Sequence, residues 1–251
     1  MKHVDRKLLY TSLEARIEYL HDFLDFNQED ISALAFGAKF VKDLIPAVVH
    51  LVYRKLLSYD ITARAFQFRD TRSEEPVVDQ LDEDSSELKQ RKMFLNSYLT
   101  KICSDQSQMA FWEYLDNVGA MHVGLKRANP LHVEYIHINA TLCLIQNLLN
   151  ESILTYNGLP MSKRIAMVRA LGKVIWIQND LFSKWCVRDG DEFLKDQDVK
   201  TKEEEEEPSV AAGGCPMARF AEGKAEETEE KPAVCPFTGL TKTVETLTVT
   251  E

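Results

Sequence analysis

His122 has the surroundings of a residue that could bind a metal ion or a cofactor. The apolar residues at helical intervals around it are Phe111, Leu115, Val118 and Leu125. Because residues three and four apart lie on one face of a helix, His122 is predicted to lie on the buried side. A neutral imidazole there can offer one ring nitrogen to a metal. The pattern alone nevertheless favours the more frequent alternative, a core histidine bonded to a backbone carbonyl.

His132 and His137 compete with His122 for this role. The apolar residues near His137 on its own predicted helix are Val133, Ile136, Ala140 and Leu144. The same argument therefore applies to it, and spacing does not choose among the three histidines. Gly119, one turn before His122, favours His122. A helical glycine costs about 1 kcal/mol relative to alanine, and a flat group such as a heme ring would need that close approach to the backbone.

Two other predicted helices carry residues that could complete a ligand pocket. In the first, Tyr53 lies beside an apolar stripe of Ile45, Val49, Val52 and Leu56. A tyrosine that points into a core needs a partner for its hydroxyl. That hydroxyl could donate to a bound ligand, although a bond to the backbone is more frequent. The second helix supplies residues that would either roof a pocket or form plain core: Met93, Phe94, Leu95, Tyr98 and Leu99.

Helical spacing of apolar residues over the first 195 positions predicts an all-α fold. Strand patterns are nearly absent, and the helices are too unequal in length for a simple four-helix bundle. Thr11 and Glu14 form a capping-box pattern for the first helix, and Gly37 is predicted to break the second. The predicted helices span residues 11–26, 28–41, 43–58, 61–68, 86–103, 107–125, 129–152 and 160–187.

Composition divides the chain into two regions. Residues 1–196 are rich in apolar residues, whereas residues 197–251 are rich in Glu, Lys and Thr and are predicted to form a disordered acidic tail, open to a protein partner. The net charge of −10 argues against nucleic-acid binding. No apolar run is long enough for a signal peptide or a membrane span, and the five cysteines suggest free thiols. We therefore expect a cytoplasmic protein.

Several segments resemble a known family. Residues 111–125 are similar to the proximal-histidine segment of protoglobins and globin-coupled sensors. In that segment a Val-Gly pair is followed after two residues by histidine, here Val118, Gly119 and His122. Asn129-Pro130 also matches, as a cap and first-turn proline that open the next helix. Residues 52–60 resemble the family's distal helix, where a tyrosine faces the ligand, and residues 174–182 resemble fungal members, so that the resemblance covers about residues 10–190.

The resemblance implies a globin-like fold with an extra N-terminal helix, here residues 11–26, and heme b (iron protoporphyrin) as the cofactor. It assigns His122 as the proximal ligand of the iron and Tyr53 as the distal hydrogen-bond donor. His137 then becomes a core or peripheral residue. The acidic residues before the helix at 86–103 leave the distal register open by one position. The other residues implied to line the heme are Val118, Gly119, Phe94, Leu95 and Tyr98.

The function implied by the resemblance is reversible binding of O2, NO or CO, for sensing or scavenging. A heme enzyme of the peroxidase or NO dioxygenase type would require a distal acid–base residue or a reductase partner. The sequence offers no evident distal histidine, flavin motif or nucleotide motif. A heme-free helical interaction protein is the third alternative. Family members often form homodimers through their last helices, and the apolar residues there, which could be interface or core, are Ile145, Leu148, Leu149, Ile175 and Phe182.

The tail holds two Cys-Pro pairs, Cys215-Pro216 and Cys235-Pro236, each followed by an apolar residue. They resemble the heme-regulatory motif, in which a thiolate binds ferric heme and the proline turns the chain away. A second heme-binding or redox role is therefore one hypothesis for the tail. Short linear interaction motifs or chance spacing explain the pairs equally well. The other cysteines, at positions 103, 143 and 186, lie in predicted helices and are expected to be packing residues.

Overall fold

The computed structural model describes residues 1–77 and 85–194. Within these two ranges the chain forms eight helices, a further helical turn at residues 191–194 and no strand, which confirms the all-α prediction. The acidic tail with its two Cys-Pro pairs lies outside these ranges, so the hypotheses on it stay predictions. The helices are α1 (Arg6–Thr11), α2 (Leu13–Phe23), α3 (Gln28–Leu57), α4 (Asp60–Gln67), α5 (Ser86–Ile102), α6 (Met109–His122), α7 (Tyr135–Thr155) and α8 (Met161–Cys186).

The N-terminal helix predicted at residues 11–26 corresponds to α2 (Leu13–Phe23), and a further short helix that was not predicted, α1 (Arg6–Thr11), precedes it. Ser12, rather than Thr11, caps α2, because its hydroxyl oxygen accepts the Ala15 N–H at 3.2 Å. α1 has a cap of its own, since the Asp5 carboxylate accepts the Lys7 N–H at 2.9 Å. Two short helices therefore precede the long α3.

α3 is one helix where the sequence pattern predicts two. It begins at a capping box formed by Asn27 and Asp30. Gly37 does not break it: an added Cβ at Gly37 would overlap the Met167 side chain of α8, so this glycine permits close packing of two helices. Pro46 also lies inside the helix, which continues to Leu57. The predicted break was wrong because tertiary packing, rather than a helix end, explains Gly37.

α7 begins at Tyr135, not at residue 129 as the Asn-Pro pair predicts. Residues 129–134 instead form a link between α6 and α7 that is held to the loop after α4. The His132 N–H donates to the Arg69 carbonyl at 2.9 Å, and the His132 carbonyl accepts the Thr71 N–H at 3.0 Å. These bonds satisfy the backbone groups that a helix would otherwise pair.

α8 contributes most to the helical core. It contacts α3, α6 and α7, while α5 packs on α3 and α2 packs on α6. Cys143 and Cys186, expected to be packing residues, are exposed instead. No helix in the described ranges is both long enough and apolar enough to cross a membrane. The apolar residues of the last two helices that could be interface or core are all buried, and therefore belong to the core: Ile145, Leu148, Leu149, Ile175 and Phe182.

His21 of α2 lies in an aromatic cluster that joins α2 to α6. Its ring centroid is 4.8 Å from that of Phe26 and 4.8 Å from that of Trp112. Burial lowers the pKa of His21 below its ordinary value of 6.5, and its Nε2 is buried without a hydrogen-bond partner in the described part of the chain. Because the unfolded chain then binds the proton more tightly, the free energy of unfolding should fall as the pH drops below about 6.5.

This pH dependence is testable with a pair of histidine variants. Chemical denaturation at about pH 7 and about pH 5 should show a smaller loss of stability for His21→Gln than for the wild type. The control is His50→Gln, because His50 is exposed on α3; it should lose as much stability as the wild type. A His21→Gln protein with the full wild-type loss would contradict the role of His21.

Candidate functional site

His122 is the last residue of α6, and its imidazole is fixed by the helix that carries it. The ring Nδ1 lies 2.8 Å from the Val118 carbonyl oxygen, one turn earlier. Since a carbonyl can only accept, Nδ1 carries the proton of the neutral ring and Nε2 carries the lone pair. No residue of the described ranges hydrogen-bonds to Nε2. One imidazole nitrogen with a free lone pair is therefore available to a metal.

The surroundings of His122 keep this ring neutral and oriented. The pKa of His122 is lowered, mainly by burial. The hydrogen bond to Val118 opposes this shift, and the charges of Arg127 and Arg91 add to it. The Phe182 ring of α8 meets the imidazole edge to face, with centroids 5.3 Å apart and planes at 85°. The Val133 N–H donates to the His122 carbonyl at 2.9 Å and fixes the end of α6. A neutral ring is the form that binds a metal.

Gly119 lies against α8, which corrects the interpretation that it admits a flat ligand. An added Cβ at Gly119 would lie 2.7 Å from the Leu181 carbonyl oxygen and 2.9 Å from Cδ1 of Trp185. Both atoms belong to α8, and one is a backbone atom that cannot move aside. Close packing of α6 on α8 therefore explains the glycine.

The substitution Gly119→Ala should destabilise the protein. The overlap with α8 is expected to cost about 1–3 kcal/mol, offset in part by the better helix propensity of alanine. Gly172→Ala is the matched control in α8, since its Cβ would have only Gln146 Nε2 nearby, at 3.5 Å. Chemical denaturation should show a loss for the first variant and a gain of up to about 1 kcal/mol for the second. Equal effects of the two substitutions would refute the packing explanation.

The two competing histidines occupy other environments. The His132 ring covers Gly124, which has a φ of +87° and no room for a Cβ. The Nε2 of His137 is buried, 3.7 Å from a Glu134 carboxylate oxygen. The apolar face predicted around His137 is wrong in part, because Ile136 is 66% exposed and α7 turns a different set of residues inward. Neither ring has the carbonyl-anchored arrangement of His122.

Tyr53 of α3 is a buried hydrogen-bond donor. Its side chain is 6% exposed, and its ring lies 5.5 Å from that of Phe66 in α4. Burial raises the pKa of Tyr53, while the nearby charge of Arg91 opposes that shift. No hydrogen bond joins the Tyr53 hydroxyl to any residue of the described ranges. The hydroxyl therefore stays protonated and free to donate to a ligand.

α5 turns some of the predicted roof residues inward and one outward. Phe94 and Leu95 are both half-buried, whereas Met93 is 56% exposed and cannot line an internal pocket. Tyr98 is buried, and its hydroxyl has no partner in the described ranges. Burial raises the pKa of Tyr98, with Tyr114 of α6 as its electrostatic neighbour. Tyr98 thus lies where α5 approaches α6.

Arg91 of α5 belongs to this region, although sequence analysis did not single it out. Its guanidinium carbon lies 5.9 Å from the centroid of the Phe66 ring, the same ring that Tyr53 meets. Its charge acts on both Tyr53 and His122. The sequence contained one indication of this position: Arg91 follows the buried Leu88 by three residues and therefore lies on the same face of the helix.

The fold and these residues define a globin-type domain. The globin domain of a Geobacter sulfurreducens globin-coupled sensor matches this structure with a TM-score of 0.54 and 15% identity, over 67% of this chain and 96% of that domain. The protoglobin family model matches residues 13–192, and the chain belongs to the protoglobin family. Among curated proteins none matches the sequence.

Proposed function

We propose that this protoglobin binds heme b, with His122 Nε2 as the ligand of the iron. The observation that carries the proposal is the bond between His122 Nδ1 and the Val118 carbonyl, which leaves the other nitrogen with its lone pair. A metal-bound histidine commonly donates its second ring nitrogen in this way, because that bond fixes the ring and makes it a better ligand.

The residues around His122 fit a heme. A Tyr53 hydroxyl that no described residue engages is a donor suited to a bound ligand, and the Arg91 guanidinium is a cation suited to an anionic group. Bound heme supplies an iron with one open position for a diatomic gas. The Val118 carbonyl and the Phe182 ring orient the imidazole, and the Tyr53 hydroxyl would donate to a polar gas ligand.

Reversible binding of O2, NO or CO, for sensing or scavenging, is the function that this arrangement supports best. A general acid works best when its pKa lies near the operating pH. Burial moves the pKa of Tyr53 upward, away from that range. Tyr53 is therefore suited to hold a ligand by a hydrogen bond and poorly suited to deliver a proton, which favours gas binding over peroxidase chemistry.

Absorption spectroscopy of the purified full-length chain tests this function. After reconstitution with hemin, the ferric form of heme, we expect a Soret band, and after reduction we expect it to shift when CO is added. A chain that gives no heme spectrum after reconstitution would contradict the proposal and favour the heme-free interaction protein.

A further inference from the structure

Arg91 is a half-buried cation without a carboxylate partner in the described ranges. Its electrostatic neighbours there are Arg69, Arg127 and Tyr53, and none of them is an acid at neutral pH. A charge withdrawn from water costs free energy unless an opposite charge meets it. Three other cations whose side chains are mostly buried each hold a carboxylate: Arg16 with Asp180, Lys173 with Asp30, and Lys184 with Asp116.

The positively charged side chains near Arg91 further favour the binding of an anion there. Arg69 is oriented by bonds from its guanidinium to the Asn129 and Pro130 carbonyl oxygens, at 2.6 and 3.1 Å, and these neutral partners leave its charge uncompensated. Asp70 is already occupied by Arg72, whose hydrogen bonds hold the pKa of Asp70 at about 2. Within the described ranges, the charged side chains that act on Arg91 are therefore two further arginines, Arg69 and Arg127.

The place of Arg91 identifies the anion. It shares the Phe66 ring with Tyr53 and lies within electrostatic range of His122, the two residues between which the proposed function places the tetrapyrrole. We propose that the Arg91 guanidinium binds a propionate carboxylate of the heme, so that the site selects tetrapyrroles with free carboxylates. The inference rests on the proposed function. A planar guanidinium matches a carboxylate with two parallel hydrogen bonds, a geometry that lysine cannot reproduce.

Titration of the full-length apoprotein with hemin and with hemin dimethyl ester tests this inference, because the ester lacks the carboxylate charges. The wild type should bind hemin about 10- to 100-fold more tightly than the ester. Arg91→Gln should lose most of this preference while binding the ester as well as the wild type does, which also shows that the variant folds. Arg91→Lys should keep part of the preference. Arg169→Gln, an exposed arginine of α8, is the matched control and should keep all of it.

An Arg91→Gln protein that prefers hemin over its ester as strongly as the wild type does would overturn the inference. If that protein in its ferric form also loses azide affinity, Arg91 serves an anionic ligand of the iron instead. Failure of the proposed function looks different: neither hemin nor the ester would give the wild type a spectrum that depends on His122.

Discussion

Replacing His122 by alanine is expected to weaken heme binding by more than about a hundredfold, because even the groups that support a metal ligand contribute about 10- to 100-fold. The Val118 carbonyl accepts a hydrogen bond from His122 Nδ1, which leaves the lone pair of Nε2 available to the iron. Titration of the apoprotein with hemin, followed at the Soret band, measures the loss. Added imidazole should restore a histidine-like spectrum by filling the space that the side chain leaves.

The two competing histidines supply the controls for this substitution. His132→Ala and His137→Ala should keep the affinity and spectrum of the wild type, because one ring covers Gly124 and the other lies beside Glu134. A His122→Ala protein that keeps tight heme binding, or a His137→Ala protein that loses it, would move the ligand assignment away from His122.

Replacing Tyr53 by phenylalanine is expected to speed O2 release by about 5- to 150-fold. The figure corresponds to a hydrogen bond worth about 1–3 kcal/mol in a site shielded from water. The side chain is 6% exposed and its raised pKa keeps the hydroxyl protonated, so the donor is present at neutral pH. Stopped-flow displacement of O2 from the ferrous protein measures the rate.

Two comparisons separate a direct hydrogen bond from a general disturbance of the site. CO carries less negative charge than O2 when bound, so its release should change little in Tyr53→Phe. Tyr98→Phe is the matched control, because Tyr98 is another buried tyrosine whose hydroxyl has no partner in the described ranges, but its electrostatic neighbour is Tyr114. O2 release at the wild-type rate from Tyr53→Phe would contradict the role of Tyr53.

Regular apolar spacing correctly predicted the boundaries of helices that no long-range contact shortens, joins or interrupts. α5 (Ser86–Ile102) and α8 (Met161–Cys186) end within a residue or two of the predicted 86–103 and 160–187. The predictions failed where long-range contacts decide the local structure. Gly37 lies inside a helix, and it is a glycine because the Met167 side chain packs against it. Residues 129–134 are not helical, because the His132 backbone forms hydrogen bonds with the loop after α4. Neither contact is visible in a local pattern.

The candidate site was predictable to the same extent. Spacing placed His122 on the buried face with Val118, but it also included Leu125, which lies beyond the end of α6 and is 47% exposed. Gly119 was interpreted as making room for a flat ligand, but the atoms that approach it belong to α8. Arg91 was missed because an arginine side chain is ordinarily exposed to solvent. That no acid of residues 1–77 and 85–194 pairs with it is visible only in the three-dimensional structure.

Resonance Raman spectroscopy of the ferrous, ligand-free protein tests the central claim most directly, because it observes the bond between iron and histidine. The full-length wild type should show an iron–histidine stretching band that shifts when histidine is labelled with ¹⁵N. The band should vanish in His122→Ala and return with added imidazole. A wild-type protein with bound heme but no such band, or a band that persists in His122→Ala without imidazole, would contradict the assignment of His122 Nε2 as the iron ligand.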